Sequence, residues 1–175
     1  QPIIRALMSV PKSAPVMPED EAARLEALHR YHILDTEPER SFDDLTLLAS
    51  HICGTPMALI SLVDADRQWF KSRIGIPISE TARAVSFCAH AINHRDLFIV
   101  PDARHDERFC DNPLVTGDQE IRFYAGAPLV TPDGHALGTL CVLDHVARTL
   151  SREQLESLTA LCRQAEAQLE LRKHL

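Results

Sequence analysis

The sequence predicts an α+β domain, a largely antiparallel sheet with helices at both ends. Three observations carry that prediction. Residues 18–53 place apolar side chains at helical spacing; residues 57–144 switch to short apolar runs divided by turn signals; residues 151–173 return to steps of three and four. With 175 residues, 45% hydrophobic and 25% charged, the chain is one ordinary domain with a sizeable core.

Four prolines among the first 18 residues mark residues 1–17 as an expected disordered linker or appended remnant, ahead of a single domain over 18–175. The first helix is expected within PEDEAARLEALHRYHIL, where Pro18 and three acids suit a helix N-terminus and Leu25, Leu28, His32 and Ile33 share a side. A second is expected over residues 40–53, with Phe42, Leu45, Leu48 and Ile52 facing inward, Gly54 stopping it and Pro56 barring continuation.

MALISLVD (57–64) reads as a buried strand and RQWFKSRIG (67–75) as its hairpin partner. A loop, IPISETARAV, leads to a short helix, SFCAHAINH, that Ser86 can cap, and then to a strand over 97–100. PDARHDERFCDNPLVTGDQE reads as loop with one or two helical turns. RFYAGAPLV (122–130) and HALGTLCVLD (135–144) flank TPDG, a hairpin turn signal. The last helix opens at Ser151 with a capping box to Gln154 and carries a heptad-like seam of Leu155, Leu158, Cys162, Ala165, Leu169 and Arg172.

A net charge of −7 argues against nucleic acid, whose phosphate counterions basic residues must replace, and against an anionic membrane surface. No run of about 18 apolar residues is present to span a bilayer, and the N-terminal stretch, broken by Arg5, does not read as a signal peptide. Five cysteines without CxxC spacing fit reduced thiols in a cytoplasm.

The chemistry concentrates in SFCAHAI, residues 86–92. Cys88 and His90 are two apart on a helix and point to different sides, so they do not share an ion; His90 and His94 lack a third ligand, and no metal site is expected. The bland alternative is a lid: Phe87, Cys88 and Phe109 packed on the sheet without any ligand. Cys141 alternates with Thr139 and Leu143 on one strand face, as core or pocket wall. Cys53 and Cys162, on apolar helix faces, read as plain core or interface, and the acids at 19–21 and the charges of DARHDER as solvated surface.

The phrases ALHRYHILDTEPERSFDDLTLLA, ALISLVDADRQWFKSRIG, SFCAHAI, VPDARHDERF and TPDGHALGTLCVLD resemble bacterial GAF domains of sensor histidine kinases and cyclic-di-GMP signalling proteins. That resemblance implies terminal helices on one sheet face and, on the other, a small-molecule pocket roofed by residues 86–121. It further implies a homodimer through residues 19–33 and 151–173, a downstream kinase or cyclic-di-GMP output domain, and no catalysis by the domain itself. The pocket candidates are then Phe87, Cys88, Phe109, Cys110, Arg122, Tyr124, Thr139 and Cys141, with ligand and cofactor unidentified. On that face Arg122 would meet a ligand's carboxylate or phosphate, or else a loop acid such as Asp111 or Asp118.

A related family of similar fold, the free methionine-(R)-sulfoxide reductases, implies an alternative with Cys110 as nucleophile and Cys88 as its partner. Tyr124, Cys141 and Leu143 stand where that family carries its carboxylates, which disfavours the activity. A third alternative is a dimerisation scaffold with a vestigial pocket.

Overall fold

The computed structural model describes residues 13–175, so residues 1–12 of the linker expected at 1–17 lie outside the described residues. Residues 13–17 run beside the lid, with the Val16 carbonyl accepting from Asn93 Nδ2 at 2.9 Å.

Helices α1 (Glu21–His29) and α2 (Arg40–Cys53) come first, followed by strands β1 (Met57–Val63), β2 (Arg67–Ile74) and β3 (Glu80–Ala82). Then come α3 (Phe87–Ala91), β4 (Phe98–Val100), α4 (Pro113–Thr116), β5 (Phe123–Val130), β6 (Ala136–Asp144) and α5 (Arg152–Lys173). The strands form one six-stranded sheet in the order β3-β2-β1-β6-β5-β4, antiparallel throughout. β3 falls in a segment expected to be loop. It is a three-residue edge strand whose pairing with β2 puts Gln68 opposite Thr81.

Side chains alternate between two buried faces. Ala58, Ile60, Leu62, Phe123, Ala125 and Val142 pack under α1, α2 and α5. Leu59, Phe70, Tyr124, Cys141 and Leu143 lie under the lid formed by α3, β4, α4 and their loops. A sheet covered on both sides needs apolar residues at successive positions, hence the unbroken burial of β1 and β6.

Two helices differ from their expected form. In α2 the buried stripe is Phe42, Leu45, Thr46, Ala49 and Cys53, while Leu48 and Ile52 are 45% and 40% exposed. Thr46 faces inward because its hydroxyl is satisfied there, 3.0 Å from the Asp43 carbonyl and 2.7 Å from Ser72 Oγ. Gly54 ends the helix at φ 65°, a left-handed conformation that suits glycine. Helix α1 stops at His29, four residues short of Ile33, because His32 takes φ 49°. Ile33 is still buried, from the loop, while His32 is exposed.

Helix α5 opens with the expected capping box, Ser151 Oγ accepting from Gln154 N and Gln154 Oε1 from Ser151 N. Its seam, expected at a dimer interface, is occupied within the chain: Leu158, Cys162, Ala165 and Leu169 are buried, and α5 packs on α2 and β5. Arg172 leaves the apolar pattern to pair with Glu39 at 2.9 Å and to donate to the Tyr31 and His32 carbonyls. Glu39 also pairs with buried Lys71 of β2 at 2.6 Å.

The acids at 19–21 are not all solvated surface. Glu21 pairs with Arg24, 1% exposed, and with Arg83, 6% exposed, tying α1 to the turn after β3. Burial pushes the Glu21 carboxyl up, but hydrogen bonds and charge from both arginines outweigh it and hold its pKa at about 2. Its stabilising contribution is therefore complete above the ordinary value of 4.5 and lost as pH falls towards 2. Glu21→Gln strands two buried cations and is expected to cost about 3 kcal/mol in urea unfolding at pH 7. An unchanged midpoint would show that the cluster adds nothing.

Candidate functional site

The lid is built from local caps. Ser86 Oγ accepts from the Ala89 amide at 3.0 Å, starting α3, and donates to Gln68 Oε1 at 2.8 Å, fixing that start to β2. Asn112 does the same for α4: its Oδ1 accepts from the Leu114 amide at 2.9 Å while its Nδ2 donates to the Val85 carbonyl at 3.0 Å. Both residues are at most 1% exposed. Each satisfies a helix end and a tertiary contact with one short side chain.

Beneath α3 lies a polar cluster in an otherwise apolar layer. Cys88 Sγ is 3.0 Å from Thr139 Oγ1, and the Tyr124 hydroxyl lies 3.3 Å from Cys88 Sγ and 3.2 Å from Thr139 Oγ1. Cys141, two residues beyond Thr139 on β6, faces the same buried layer as Cys88. Next to it, Ser61 donates to Gln68 at 3.0 Å and Gln68 Nε2 donates to Thr81 at 2.7 Å. These buried groups satisfy one another, as groups cut off from water must.

Aromatic rings fill the remaining space. Phe87 stacks on Phe109 at 4.1 Å between centroids, and Tyr124 meets Phe87 at 5.3 Å and Phe98 at 6.0 Å. The Tyr124 ring lies along the strand over Gly126, where a β-carbon would overlap the phenol. The residual cavity, lined by Leu59, Phe70, Phe87, Cys88 and Tyr124 among others, is about 20 Å³, room for one water.

Six of the eight expected pocket residues, Phe87, Cys88, Phe109, Tyr124, Thr139 and Cys141, gather in this layer. Two do not. Cys110 is exposed, its thiol 3.9 Å from the Glu107 carbonyl, because the turn through Asp106 carries it outward while Phe109 takes the inward position. Arg122 stands just before β5 and donates from Nη1 to the Val115 carbonyl at 2.6 Å, bracing the end of α4.

Sequence reasoning missed Ser61, Gln68, Thr81 and Asn112. For Gln68 a signal was present, since it alternates with Phe70 and so shares its face.

Burial alone would push the Cys88 thiol up, but the polar groups around it, Cys141, Ser61, Thr139 and Tyr124, act the other way and prevail. The two thiols titrate together: the first proton leaves below the usual thiol range, and burial plus that first charge push Cys141 far above it. Burial, followed by the charges of Cys88 and Cys141, keeps Tyr124 protonated.

On the outer side of α3, His90 meets the Phe109 ring at 4.8 Å, and His94 stacks on Phe98 at 5.1 Å. Arg108, paired with Asp106 at 2.7 Å, lies over the Phe98 and Phe109 rings. Those charges therefore anchor the lid. Burial, and then the Arg108 charge, hold His90 at about 4.

The sequence matches the GAF domain family over residues 37–169. The chain belongs to the GAF family. Its sequence is 45% identical over 136 residues, 78% of this chain, to cyclic di-GMP phosphodiesterase PA2567 of Pseudomonas aeruginosa, and spans 23% of that protein's length. Among solved folds, the GAF domain of an Acinetobacter phosphoenolpyruvate-protein phosphotransferase superposes with a TM-score of 0.63 at 16% identity, covering 91% of this chain and 98% of that one. The free methionine-R-sulfoxide reductase of Neisseria meningitidis, solved with its substrate, gives 0.62 at 14% identity, covering 95% and 97%. These two likenesses show the shared GAF fold.

Two outcomes test this geometry. Gly126→Ala, by crowding Tyr124, is expected to lower stability by about 1–3 kcal/mol, with part recovered when Tyr124→Phe is added. Simple additivity of the two would contradict the contact. Because His90 is held below its ordinary 6.5, its contribution is complete above that pH and lost as pH falls to about 4. His90→Gln should flatten the pH dependence of the urea midpoint in that window and nowhere else.

Proposed function

We propose that this GAF domain is a non-catalytic sensory module of a cyclic-di-GMP signalling protein. It reads a small molecule or a change in redox state beneath the lid and relays it through the terminal helices to an output within a dimer. The observation that carries this reading is the cluster of Cys88, Tyr124, Thr139 and Gln68 on the one sheet face covered by short helices and loops. Short, locally capped elements open at lower free energy than long packed helices, and sensory surfaces are drawn from that end of the scale.

With only about 20 Å³ free, a ligand enters by displacing the lid or the Tyr124 ring, so binding is tied to a change of shape. The relay has a physical route: Lys71 of β2 pairs with Glu39, and Glu39 with Arg172 near the end of α5. A dimer then uses the outward sides of residues 19–33 and 151–173, such as the exposed Leu171, because the apolar seam of α5 is spent on its own sheet.

The likeness to a cyclic di-GMP phosphodiesterase supports an output domain of that signalling class, with a kinase as the other candidate. A cytoplasmic setting suits the free thiols, and among the described residues no helix is long and apolar enough to cross a membrane. Against the reductase alternative stand an exposed Cys110, a buried Cys88 and Tyr124 in a carboxylate's place. The filled layer favours a second reading, a dimerisation scaffold with a vestigial pocket.

Native mass spectrometry of the chain purified from its own type of cell separates the two. The sensory reading predicts an additional small-molecule mass, or a ligand from a metabolite panel that raises Tm in proportion to RT ln(1 + [L]/Kd). A bare chain with no Tm response to ligand or oxidant contradicts it and leaves the scaffold.

A further inference from the structure

We propose that Cys88 and Cys141 are an oxidisable dithiol that a hydroperoxide closes into a disulfide, stapling the lid to the sheet. This rests on the redox branch of the sensory reading and gives it a chemical site. Of the five cysteines, Cys53 and Cys162 lie in the helix-side core and Cys110 is exposed, so only Cys88 and Cys141 share the buried lid-side layer. Cys88 belongs to α3 in the lid and Cys141 to β6 in the middle of the sheet. A bond between them therefore joins the two layers whose separation would admit a ligand.

The surroundings favour the reaction. Cys141 is paired with Leu59 on one side and Gly126 on the other, and the glycine leaves the space beside it to the Tyr124 hydroxyl, which lies 3.3 Å from the Cys88 sulfur. Thr139 and Tyr124 place hydroxyls 3.0 Å and 3.3 Å from Cys88 Sγ, positioned to stabilise a thiolate there. The easier first ionisation of the pair agrees with this. The water-sized cavity touches Cys88, and hydrogen peroxide is little larger than water, so a small oxidant can be accommodated beside this thiol.

The reaction balances without any other partner. The Cys88 thiolate attacks one peroxide oxygen, the O–O bond breaks, and the departing oxygen takes up the proton released by Cys88 to leave as water. Cys88 is now a sulfenic acid. The Cys141 sulfur attacks it, the S–O bond breaks, and the hydroxyl leaves as a second water with the Cys141 proton. Two thiols and one peroxide become one disulfide and two waters, with two electrons passing from sulfur to oxygen. Tyr124 and Thr139 act here as positioning groups.

The test is mild hydrogen peroxide on the purified chain, followed by intact mass, thiol titration and peptide mapping. The expected result is a loss of about 2 Da, a fall of two in the titre of five thiols, and a cross-linked peptide pair containing Cys88 and Cys141, all reversed by dithiothreitol. Cys110→Ser, a surface change, should leave that outcome intact, and Cys141→Ser should instead leave a dimedone-reactive sulfenic acid on Cys88. Oxidation confined to Cys110, or a disulfide mapped to any other pair, would overturn the proposal even with a correctly folded wild type. Small-molecule sensing stands or falls separately, by the ligand mass and Tm response.

Discussion

Everything in this molecule follows from a six-stranded sheet that must keep both faces dry. Strand β1 is central: β2 flanks it on one side and β6 on the other, and its seven residues are buried whichever way they point. One face is closed by three helices with interlocking apolar stripes, among them Phe42 and Ala49 from α2 and Leu158 and Ala165 from α5. The other is closed by short pieces of chain that have no comparable stripe. The lid instead depends on single side chains that serve two elements at once, notably Ser86, Asn112 and Phe109.

This asymmetry assigns different work to the two faces. On the helix side, burial is regular and the polar exceptions, such as Thr46, are matched within one layer. On the lid side, hydroxyls, an amide and two thiols are buried under helices of five and four residues, so a cooperative unit smaller than the whole fold can open there. Ion pairs tie the terminal helices to the sheet and its turns. Glu21 with Arg24 and Arg83 ties α1 to the turn leading into the lid, and Lys71 with Glu39 and Arg172 ties β2 to the end of α5.

Much of this was legible in the chain because local chemistry and tertiary structure agree. Ser86, Ser151 and Gly54 sit where their cap chemistry demands, and the two hairpins fall where apolar runs flank turn residues. The GAF resemblance supplied what periodicity alone does not, namely which face the helices cover and which the lid of residues 86–121 covers. The misreadings have a common cause in side chains whose polarity hides their burial. Thr46 lies outside the stripe that hydropathy predicts while Leu48 and Ile52 lie in it, since a hydropathy pattern does not register a hydroxyl satisfied by Ser72. Glu21 reads as surface because its partner Arg83 lies 62 positions away along the chain. Cys110 was grouped with Cys88 through the reductase resemblance, yet one residue of phase puts Phe109 inside and Cys110 outside.

The central claim is that the lid opens as a unit separate from the rest of the fold. Native-state hydrogen exchange across a range of low denaturant concentrations measures this directly. The account predicts that protected amides in residues 86–121 exchange by a smaller opening, with lower free energy and weaker denaturant dependence, than those of β1, β6 and α5. If lid and central-strand amides share one free energy and one denaturant slope, the lid opens only when everything unfolds, and a sensory role beneath it is contradicted.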